Sequence, residues 1–349
     1  MVLLRYLLVF ATSFGLALLA APVAGRLGRR VGMVDRPGGR RQHEGLVSRL
    51  GGVAVFVAFM AAVGLAHQQG LLTAGYGASD SLRLKGLLIG GGVAILCGLL
   101  DDRFDLPPLP QFAVQIALSL IALATLLWLE RFTLPLIGMI ELNRYPWGPW
   151  IYVPLTVLWV AGMINTVNWL DGLDGLAAGV GAILCLVLAI HMHRAGQPSV
   201  ALLPLALMGA LTGFLPYNMA PASVFLGSAG AFFLGYALAG LGLIAGGRTA
   251  TVLMVMGLPI VDVAWQIFDR ARHHRSPVRG DRGHLHFRLR DLGLPQRAIV
   301  VLYWGFCALF GLLALVVGPW QKLAALIIVG LGVVVVLALL SREDPTGRD

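Results

Sequence analysis

The sequence predicts an all-α integral membrane protein with about eleven transmembrane helices, an external N-terminus and a cytoplasmic C-terminus. Composition is the first indication, because 58% of the 349 residues are apolar, 12% are charged and the mean hydropathy is +0.83. The second is the recurrence of apolar runs about twenty residues long, the length a helix needs to cross a hydrocarbon core of about 30 Å. The third is the uneven placement of Lys and Arg.

The apolar runs divide the whole chain and leave no room for a soluble domain, so residues 1–349 are predicted to form a single polytopic transmembrane domain. The predicted spans are 3–22, 47–67, 84–100, 109–129, 150–167, 174–193, 199–216, 222–244, 250–268, 298–317 and 320–340. The first is expected to be retained, because Arg5 alone precedes its LLAAPVAG end while Arg26, Arg29 and Arg30 follow it, the reverse of a secretory signal.

Basic residues assign the sides of the membrane. Of 26 Lys and Arg, seven lie between Arg26 and Arg49 and eight between Arg270 and Arg297, which predicts that both segments are cytoplasmic. The resulting cytoplasmic loops are near 23–46, 101–108, 168–174, 217–221 and 269–297. Arg clusters beside membrane spans are first topology signals and then phosphate binders, so no nucleic-acid partner is predicted. The three cysteines sit in apolar runs without disulfide or zinc spacing.

One predicted cytoplasmic segment, NTVNWLDGLDGLAAG at 165–179, places four polar residues three apart: Asn165, Asn168, Asp171 and Asp174. Gly172 and the following glycine favour a break here, and either Asp could cap the helix that follows. A capped turn explains one Asp, but amides this close to an apolar core need partners. The cluster as a whole therefore indicates a functional site.

A pair of acids, Asp101 and Asp102, ends the third predicted span. Carboxylates at a helix C-terminus oppose the helix dipole, and adjacent ones repel each other, so a cation should compensate them. Mg²⁺ is the natural candidate because it takes carboxylate and amide oxygens and shares its coordination shell with water and phosphates. A nearby arginine such as Arg103 is the alternative.

The last basic loop contains HLHFRLR at 284–290, in which His284, His286, Arg288 and Arg290 alternate with apolar residues. Period two favours a short extended segment with one polar face, although seven residues do not exclude a helix. Two imidazoles and two guanidiniums on that face would suit phosphate, whereas a zinc pair lacks the usual accompanying ligands.

Asp262 differs from the other acids because it lies inside the ninth predicted span, after Pro259. A carboxylate near the bilayer centre costs about 2.5 to 3.5 kcal/mol, so it should have a partner. That partner is either in the site or the backbone released by the proline kink.

Taken together, these segments resemble the polyprenyl-phosphate N-acetylhexosamine-1-phosphate transferases, a glycosyltransferase family. The motifs that carry the resemblance span most of the chain: VDRPGGRRQH, SRLGG, GLLDD, NTVNWLDGLDGLAAG, FLPYNMAPASVFLG, PIVD and RSPVRGDRGHLHFRL. Within the family the chain resembles the branch acting on N-acetylglucosamine (GlcNAc) more than the muramoyl-pentapeptide branch.

The resemblance implies roles for individual residues, with Mg²⁺ as cofactor. Asp101, Asp102 and Asp171 would be catalytic, and Asn168 and Asp101 would hold the metal. The implied substrate-binding residues are Asn165, Asp174, His284, His286, Arg282 and Arg288. The family's remaining metal ligand is an Asp that this chain replaces with Ser228, and Gln111 stands where a Lys is frequent.

The implied reaction transfers a sugar 1-phosphate, GlcNAc 1-phosphate above all, from a UDP-sugar to undecaprenyl phosphate and releases UMP. This would be the first membrane step toward a cell-envelope polysaccharide such as teichoic acid or lipopolysaccharide. The expected location is the cytoplasmic membrane, with the site on its cytoplasmic face, and homodimerisation is left open. Ser228 motivates a second hypothesis, a binding protein that has lost catalysis. A transporter is a third, but only Asp262 fits it.

Overall fold

Helices form nearly all of the regular structure, as predicted. The structure, a computed structural model, describes residues 2–35, 45–72, 78–134, 138–244, 248–273 and 283–342. The α-helices in those ranges are α1 (Val2–Val31), α2 (Gly51–Gln68), α3 (Ala78–Phe104), α4 (Pro108–Ala124), α5 (Gly148–Leu170), α6 (Leu176–Arg194), α7 (Pro198–Asn218), α8 (Gly227–Ile244), α9 (Thr249–Val255), α10 (Gly257–Arg272), α11 (Leu285–Asp291), α12 (Gln296–Val316) and α13 (Pro319–Arg342). Two antiparallel ribbons accompany them, β1 (Val34–Asp35) with β2 (Val47–Ser48) and β3 (Arg131–Leu134) with β4 (Gly138–Glu141).

The helices confirm a multi-pass membrane architecture. In the described ranges, nine helices are long and apolar enough to cross a membrane. Helices α9 and α10 would form another span together but are bent by 81°, and α4 is shorter, with 17 residues. The exact number of crossings and the orientation of the termini stay predictions.

The bend between α9 and α10 has a local cause in the sequence. Pro259 lies in the first turn of α10, and in an unbroken helix its ring would clash with the carbonyl of Val255, four residues earlier, where α9 ends. Gly257 opens the new helix. The break brings the second half of this segment, including Asp262, toward the loop that precedes α11.

Helix α8 is the most buried helix of the bundle and packs against α2, α3 and α5. Small residues permit this contact, as is usual between membrane helices. At Gly98 of α3, an added Cβ would lie 2.4 Å from the Cα of Ala229. The C-terminal end of α3 is therefore held against the N-terminal end of α8.

The polar features lie at two ends of the bundle. We call the end where α3 and α5 finish and α8 begins the carboxylate face, and the opposite end, where α6 finishes and α13 begins, the distal face. Between them the outward sides of α1, α12 and α13 are apolar, with exposed residues such as Leu4, Val316 and Leu331. An apolar girdle between two polar ends is the arrangement expected in a bilayer.

Candidate active site

The paired acids at the end of α3 are buried against the start of α8. Asp101 and Asp102 are only 6% and 7% exposed. The Asp102 carboxylate accepts the backbone N–H groups of Ser228 and Ala229, each at 2.9 Å. The positive end of the α8 dipole thus offsets charge that the C-terminus of α3 disfavours. The sequence predicts that a cation offsets the charge of Asp102, whereas the structure shows backbone N–H groups in contact with it. Asp102 therefore also has a structural role at the start of α8.

Asp171 joins the same helix end from the turn after α5. Its carboxylate lies near the N–H of Gly227, the first residue of α8, which acts to lower its pKa. Burial raises the pKa of Asp171 well above its usual value, and the negative charges of Asp102 and Asp174 raise it further. Three carboxylates therefore lie in the region around the N-terminus of α8, and a nearby cation would offset their mutual repulsion.

Arg49, in the SRLGG segment between β2 and α2, is the cation that contacts this region. Its Nε donates to Asp35 Oδ1 at 3.0 Å, and its Nη1 donates to the Asp102 carbonyl oxygen at 3.4 Å and to Asp105 Oδ1 at 3.3 Å. Burial acts to lower the pKa of Arg49, but the hydrogen bond with Asp35 and the nearby carboxylates outweigh it and raise the pKa. Arg49 thus ties the β1–β2 ribbon to the end of α3.

Gln111, which stands where the resembled family frequently has a Lys, lies beside the first acid of the pair. Its side-chain amide donates to Asp101 Oδ1 at 2.8 Å and to the Leu106 carbonyl oxygen at 3.0 Å. The donor to the first acid is therefore neutral in this chain. In this chain, positive charge reaches the acid pair from Arg49.

The two amides of the quoted polar segment have different surroundings. Asn165 and Gln115 exchange two side-chain hydrogen bonds, both of 2.8 Å, which join α5 to α4. This pairing supplies the partner that a buried amide needs, and the substrate-binding role of Asn165 stays a prediction. The half-buried side chain of Asn168 makes no hydrogen bond to any residue in the described ranges, which leaves its amide oxygen available as a ligand.

The turn after α5 is anchored by the connection between α7 and α8. Asp174 accepts the Ala222 N–H at 3.0 Å, and Asn218 Oδ1 accepts the Gly175 N–H at 3.1 Å. The break predicted around Gly172 is confirmed, but the predicted cap is wrong. Gly175, in a left-handed conformation, is the N-cap of α6. The Asp174 carboxylate accepts the Ala222 N–H instead, and the Asp171 carboxylate lies near the start of α8.

The HLHFRLR segment is a helix, so the expectation of an extended strand is wrong. His284 is the N-cap and α11 begins at Leu285. The reason is a tertiary contact: Asp262 of α10 accepts the Leu285 N–H at 2.9 Å and the His284 Nδ1–H at 2.9 Å. The carboxylate thereby stabilises the start of the helix and orients one imidazole. Of the two partners predicted for Asp262, the one in the site is found.

His286 lies one residue into α11, with its ring stacked near that of His284 at a centroid distance of 5.7 Å. Neither of its nitrogens has a hydrogen-bond partner within the described residues, although both are buried. Burial lowers the pKa of His286 to about 3, although Asp262 acts to raise it. The ring is therefore neutral at physiological pH and offers one N–H donor and one acceptor.

His286 also contacts the turn that carries the acids. A Cβ added at Gly172 would lie 2.8 Å from His286 Nε2 and 2.9 Å from Phe287 Cζ. A side chain at residue 172 would therefore require the rings of His286 and Phe287 to shift. This contact brings two sequence motifs, more than a hundred residues apart, into one site.

Of the two arginines predicted to bind substrate, the described residues include Arg288. Arg288 donates to the carbonyl oxygens of Gly283 at 2.7 Å and Leu337 at 3.5 Å, which links α11 to α13. Arg282 lies outside the described residues. A cation absent from the prediction, the buried Arg270, has its guanidinium carbon 5.8 Å from the ring centroid of Trp169.

The polar side chains of the site suit Mg²⁺, which keeps water and phosphate in its coordination shell, better than a metal ion that is held by protein ligands alone. Within the described ranges no three His, Cys, Asp or Glu side chains are close enough to ligate one ion, so neither a zinc cage nor a preformed magnesium cage is present. Mg²⁺ usually takes one or two carboxylates and completes its shell with water and phosphate. The crowded carboxylates and the unbonded Asn168 amide fit that requirement, and Ser228 supplies only a neutral hydroxyl.

The structure thus brings the motifs at 101–102, 171–174, 228 and 284–286 to one face. The roles assigned to individual residues stay predictions. Sequence reasoning missed Arg49 and the capping of α8 by the acids. The SRLGG motif was the available signal for Arg49, but its partners lie in other segments.

Comparison with known proteins agrees with this grouping of motifs. The sequence model for glycosyl transferase family 4 matches residues 84–246. A Bacillus subtilis (strain 168) protein named as a probable undecaprenyl-phosphate N-acetylglucosaminyl 1-phosphate transferase is 30% identical, over 90% of this chain and 85% of its own length. The decaprenyl-phosphate N-acetylglucosaminephosphotransferase of Mycobacterium leprae (strain TN) is 31% identical, over 97% of this chain and 91% of its own length.

A more distant relative is the undecaprenyl-phosphate alpha-N-acetylglucosaminyl 1-phosphate transferase of Escherichia coli (strain K12). It is 27% identical, over 80% of this chain and 75% of its own length. The similarity therefore extends over nearly the whole bundle. The chain belongs to the polyprenyl-phosphate N-acetylhexosamine-1-phosphate transferases of glycosyl transferase family 4.

Proposed function

We propose that this protein transfers GlcNAc 1-phosphate from UDP-GlcNAc to a polyprenyl phosphate such as undecaprenyl phosphate and releases UMP. Family membership supports the reaction class, and the named relatives support the lipid and the sugar. The observation that carries the proposal is the meeting of Asp102 and Asp171 at the N-terminus of α8, with the α11 histidines beside the same turn.

The chemistry of the lipid nucleophile favours positioning over general-base catalysis. A phosphate monoester has a second pKa near 6, so most of it is dianionic at pH 7 and needs no base. The larger barrier is the approach of two anions. Groups that hold both phosphates and offset their charge lower this barrier most effectively.

Residues of the site divide between these tasks. Asn168 and Asp101 would hold Mg²⁺, which when bound would supply Lewis-acid neutralisation of phosphate oxygens, and Asp102 and Asp171 would line the reacting centre. Arg49 positions the end of α3 through the Asp102 carbonyl. The neutral amide of Asn168 is one ligand that no other hydrogen bond engages in the described ranges.

Sugar-nucleotide binding is assigned to the other side of the turn. His284, oriented by Asp262, and His286 would contact the diphosphate as hydrogen-bond donors, and Asp174 would approach the uridine. Arg282 and Arg288 would add positive charge to the same loop. The Arg-rich sequences at 26–49 and 270–297 support a cytoplasmic location in the cell membrane, where UDP-sugars are available.

The decisive experiment uses the first acid of the pair. Asp101 contacts Gln111 but does not cap α8, so Asp101→Asn changes charge with less structural effect than a change at Asp102. Purified protein is supplied with undecaprenyl phosphate and radiolabelled UDP-GlcNAc or other UDP-sugars, with Mg²⁺ or with a chelator. The matched control is Asp80→Asn, which changes an Asp at the opposite end of the same helix.

We expect Mg²⁺-dependent formation of lipid-linked GlcNAc phosphate and UMP by the wild type and by Asp80→Asn. Asp101→Asn should lose at least about a hundredfold in rate, as expected when one group that stabilises transition-state charge is removed, while its thermal unfolding midpoint stays unchanged. Wild-type turnover by Asp101→Asn would contradict the role of this acid. Absence of UMP release from the wild type with every UDP-sugar would contradict the function itself.

A further inference from the structure

A second group of charged side chains lies on the distal face, away from the candidate active site. It comprises Arg131 on β3, His191 near the end of α6, Arg248 directly before α9 and Lys322 near the start of α13, and we call it the distal basic cluster. All four residues are half-buried. Their charges interact, since Arg248 is affected by Arg131, and Lys322 by Arg248.

The acids of this face are already engaged elsewhere. Arg83 forms ion pairs with Asp80, at 3.4 Å, and with Glu130, and Arg144 forms one with Glu141. Glu141 lies opposite Arg131 in the ribbon register, but its carboxylate contacts Arg144. Within the described ranges, therefore, no acidic side chain forms a salt bridge with any member of the distal basic cluster.

The cluster also contains buried donors without acceptors. The Nε atoms of Arg131 and Arg248 are buried and have no hydrogen-bond partner among the described residues. Burial lowers the pKa of Arg248, and the charge of Arg131 lowers it further. The Thr251 hydroxyl joins the other two members, lying 3.4 Å from Lys322 Nζ and 3.2 Å from His191 Nδ1.

Such a group is costly unless an anion is present. Buried polar groups are nearly always hydrogen-bonded, and a buried charge needs a partner. Two guanidiniums and an ammonium around one region match the several oxygens of a phosphate group, to which Arg can donate two parallel hydrogen bonds. A carboxylate offers fewer acceptors for the same donors.

We infer that the distal basic cluster is a binding site for a phosphate group, either on the headgroup of an anionic phospholipid or as free inorganic phosphate. The inference does not depend on the proposed function, because no residue of the candidate active site takes part. The distal face would therefore bind a phosphate group that is distinct from the substrates of the candidate active site.

The test compares wild-type protein with Arg248→Gln and Lys322→Gln. Arg144→Gln is the matched control, because it removes a distal-face arginine that has its own acid. Thermal unfolding midpoints are measured in neutral detergent while inorganic phosphate replaces chloride at constant ionic strength. In parallel, protein in nanodiscs of phosphatidylcholine, with or without phosphatidylglycerol, is examined for midpoint and for lipid retained in native mass spectrometry.

We expect a saturable rise in the wild-type midpoint with at least one probe, and a weakening of apparent affinity by about tenfold or more in Arg248→Gln, as for loss of a hydrogen bond to a charged group. Arg144→Gln should respond like wild type. A response to phosphatidylglycerol alone supports a lipid headgroup, and a response to both probes supports a general phosphate site.

The inference is overturned if neither probe raises the wild-type midpoint. It is also overturned if Arg248→Gln keeps the wild-type response to the probes, because the cluster would then not bind the phosphate group. If Arg248→Gln does not accumulate, Lys322→Gln is judged by the same criteria.

Discussion

Ser228→Asp is the most informative perturbation, because it places a carboxylate where the resembled family has one. Residue 228 is the second residue of α8, and its N–H donates to Asp102 at 2.9 Å. The new side chain would lie about 5 Å from the Asp102 carboxylate, given ordinary covalent lengths. The Asp171 carboxylate lies near the preceding residue, Gly227, so the new charge would join an already crowded region.

The magnitude follows from the charges. Two carboxylates about 5 Å apart repel by about 3 kcal/mol at an effective dielectric constant near 20. The favourable interaction of the new carboxylate with the dipole at the N-terminus of α8 offsets about 0.3 to 1 kcal/mol of this repulsion. Without a divalent ion, Ser228→Asp should therefore be less stable than wild type by about 2 kcal/mol. A bound Mg²⁺ should reverse this effect, since an additional oxygen ligand of opposite charge becomes available.

The assay is thermal unfolding with a chelator and across a Mg²⁺ titration, together with UMP release at the same Mg²⁺ concentrations. Ser228→Asn, which has nearly the same shape without the charge, is the control. We expect the half-maximal Mg²⁺ concentration to fall about tenfold in Ser228→Asp, as about 1.4 kcal/mol of added binding free energy would produce. Equal stability in chelator and an unchanged Mg²⁺ response in Ser228→Asp and Ser228→Asn would refute the assignment of the metal to this helix end.

Three further changes test the contacts that assemble the site. Arg49→Gln should lower the free energy of unfolding by about 1 to 3 kcal/mol, because it removes a charged hydrogen-bond donor from the buried Asp35 carboxylate and from the end of α3. Gly172→Ala should cost about 1 to 3 kcal/mol of stability and reduce turnover, since its Cβ would displace His286. Asp262→Asn should raise the KM for UDP-GlcNAc about tenfold or more, because the imidazole it orients loses a charged partner.

Each of these changes has a control or a contrary result. Arg144→Gln removes an arginine from an exposed ion pair and should cost less than about 1 kcal/mol. Gly305→Ala in α12 adds a Cβ that meets no atom within 4 Å, so its stability and turnover should match wild type or exceed it. If Arg49→Gln is as mild as Arg144→Gln, or Gly172→Ala as mild as Gly305→Ala, the corresponding contact does not assemble the site. An unchanged KM for UDP-GlcNAc in Asp262→Asn would show that this carboxylate does not contribute to nucleotide binding.

Asp102 illustrates why the acids of such a site are hard to interpret from activity alone. Its two oxygens accept the N–H groups of Ser228 and Ala229, so it stabilises the start of the most buried helix while it faces the site. Loss of turnover in an Asp102 variant would follow from either role. A variant of Asp101 distinguishes the structural role from the catalytic one more clearly, because Asp101 is hydrogen-bonded to the neutral side chain of Gln111.

Much of the architecture follows from the sequence alone. The thickness of a bilayer sets the length of an apolar helix, so hydropathy identifies most of the spans without reference to their neighbours. The polar motifs follow from the same logic, because their acids and amides stand at or between the ends of apolar runs. Pro259 likewise marks the bend of α10 through local sterics.

What only the tertiary structure decides are the partners. Asp102 and Ser228 are 126 positions apart, and no periodicity indicates that one caps the helix of the other. The HLHFRLR segment is too short for its period to distinguish a strand from a helix, and the deciding group, Asp262, comes from another helix. Likewise, the distal basic cluster collects side chains from four separate segments. Hydrophobic length is a property of each segment by itself, whereas compensation of buried charge depends on which segments meet.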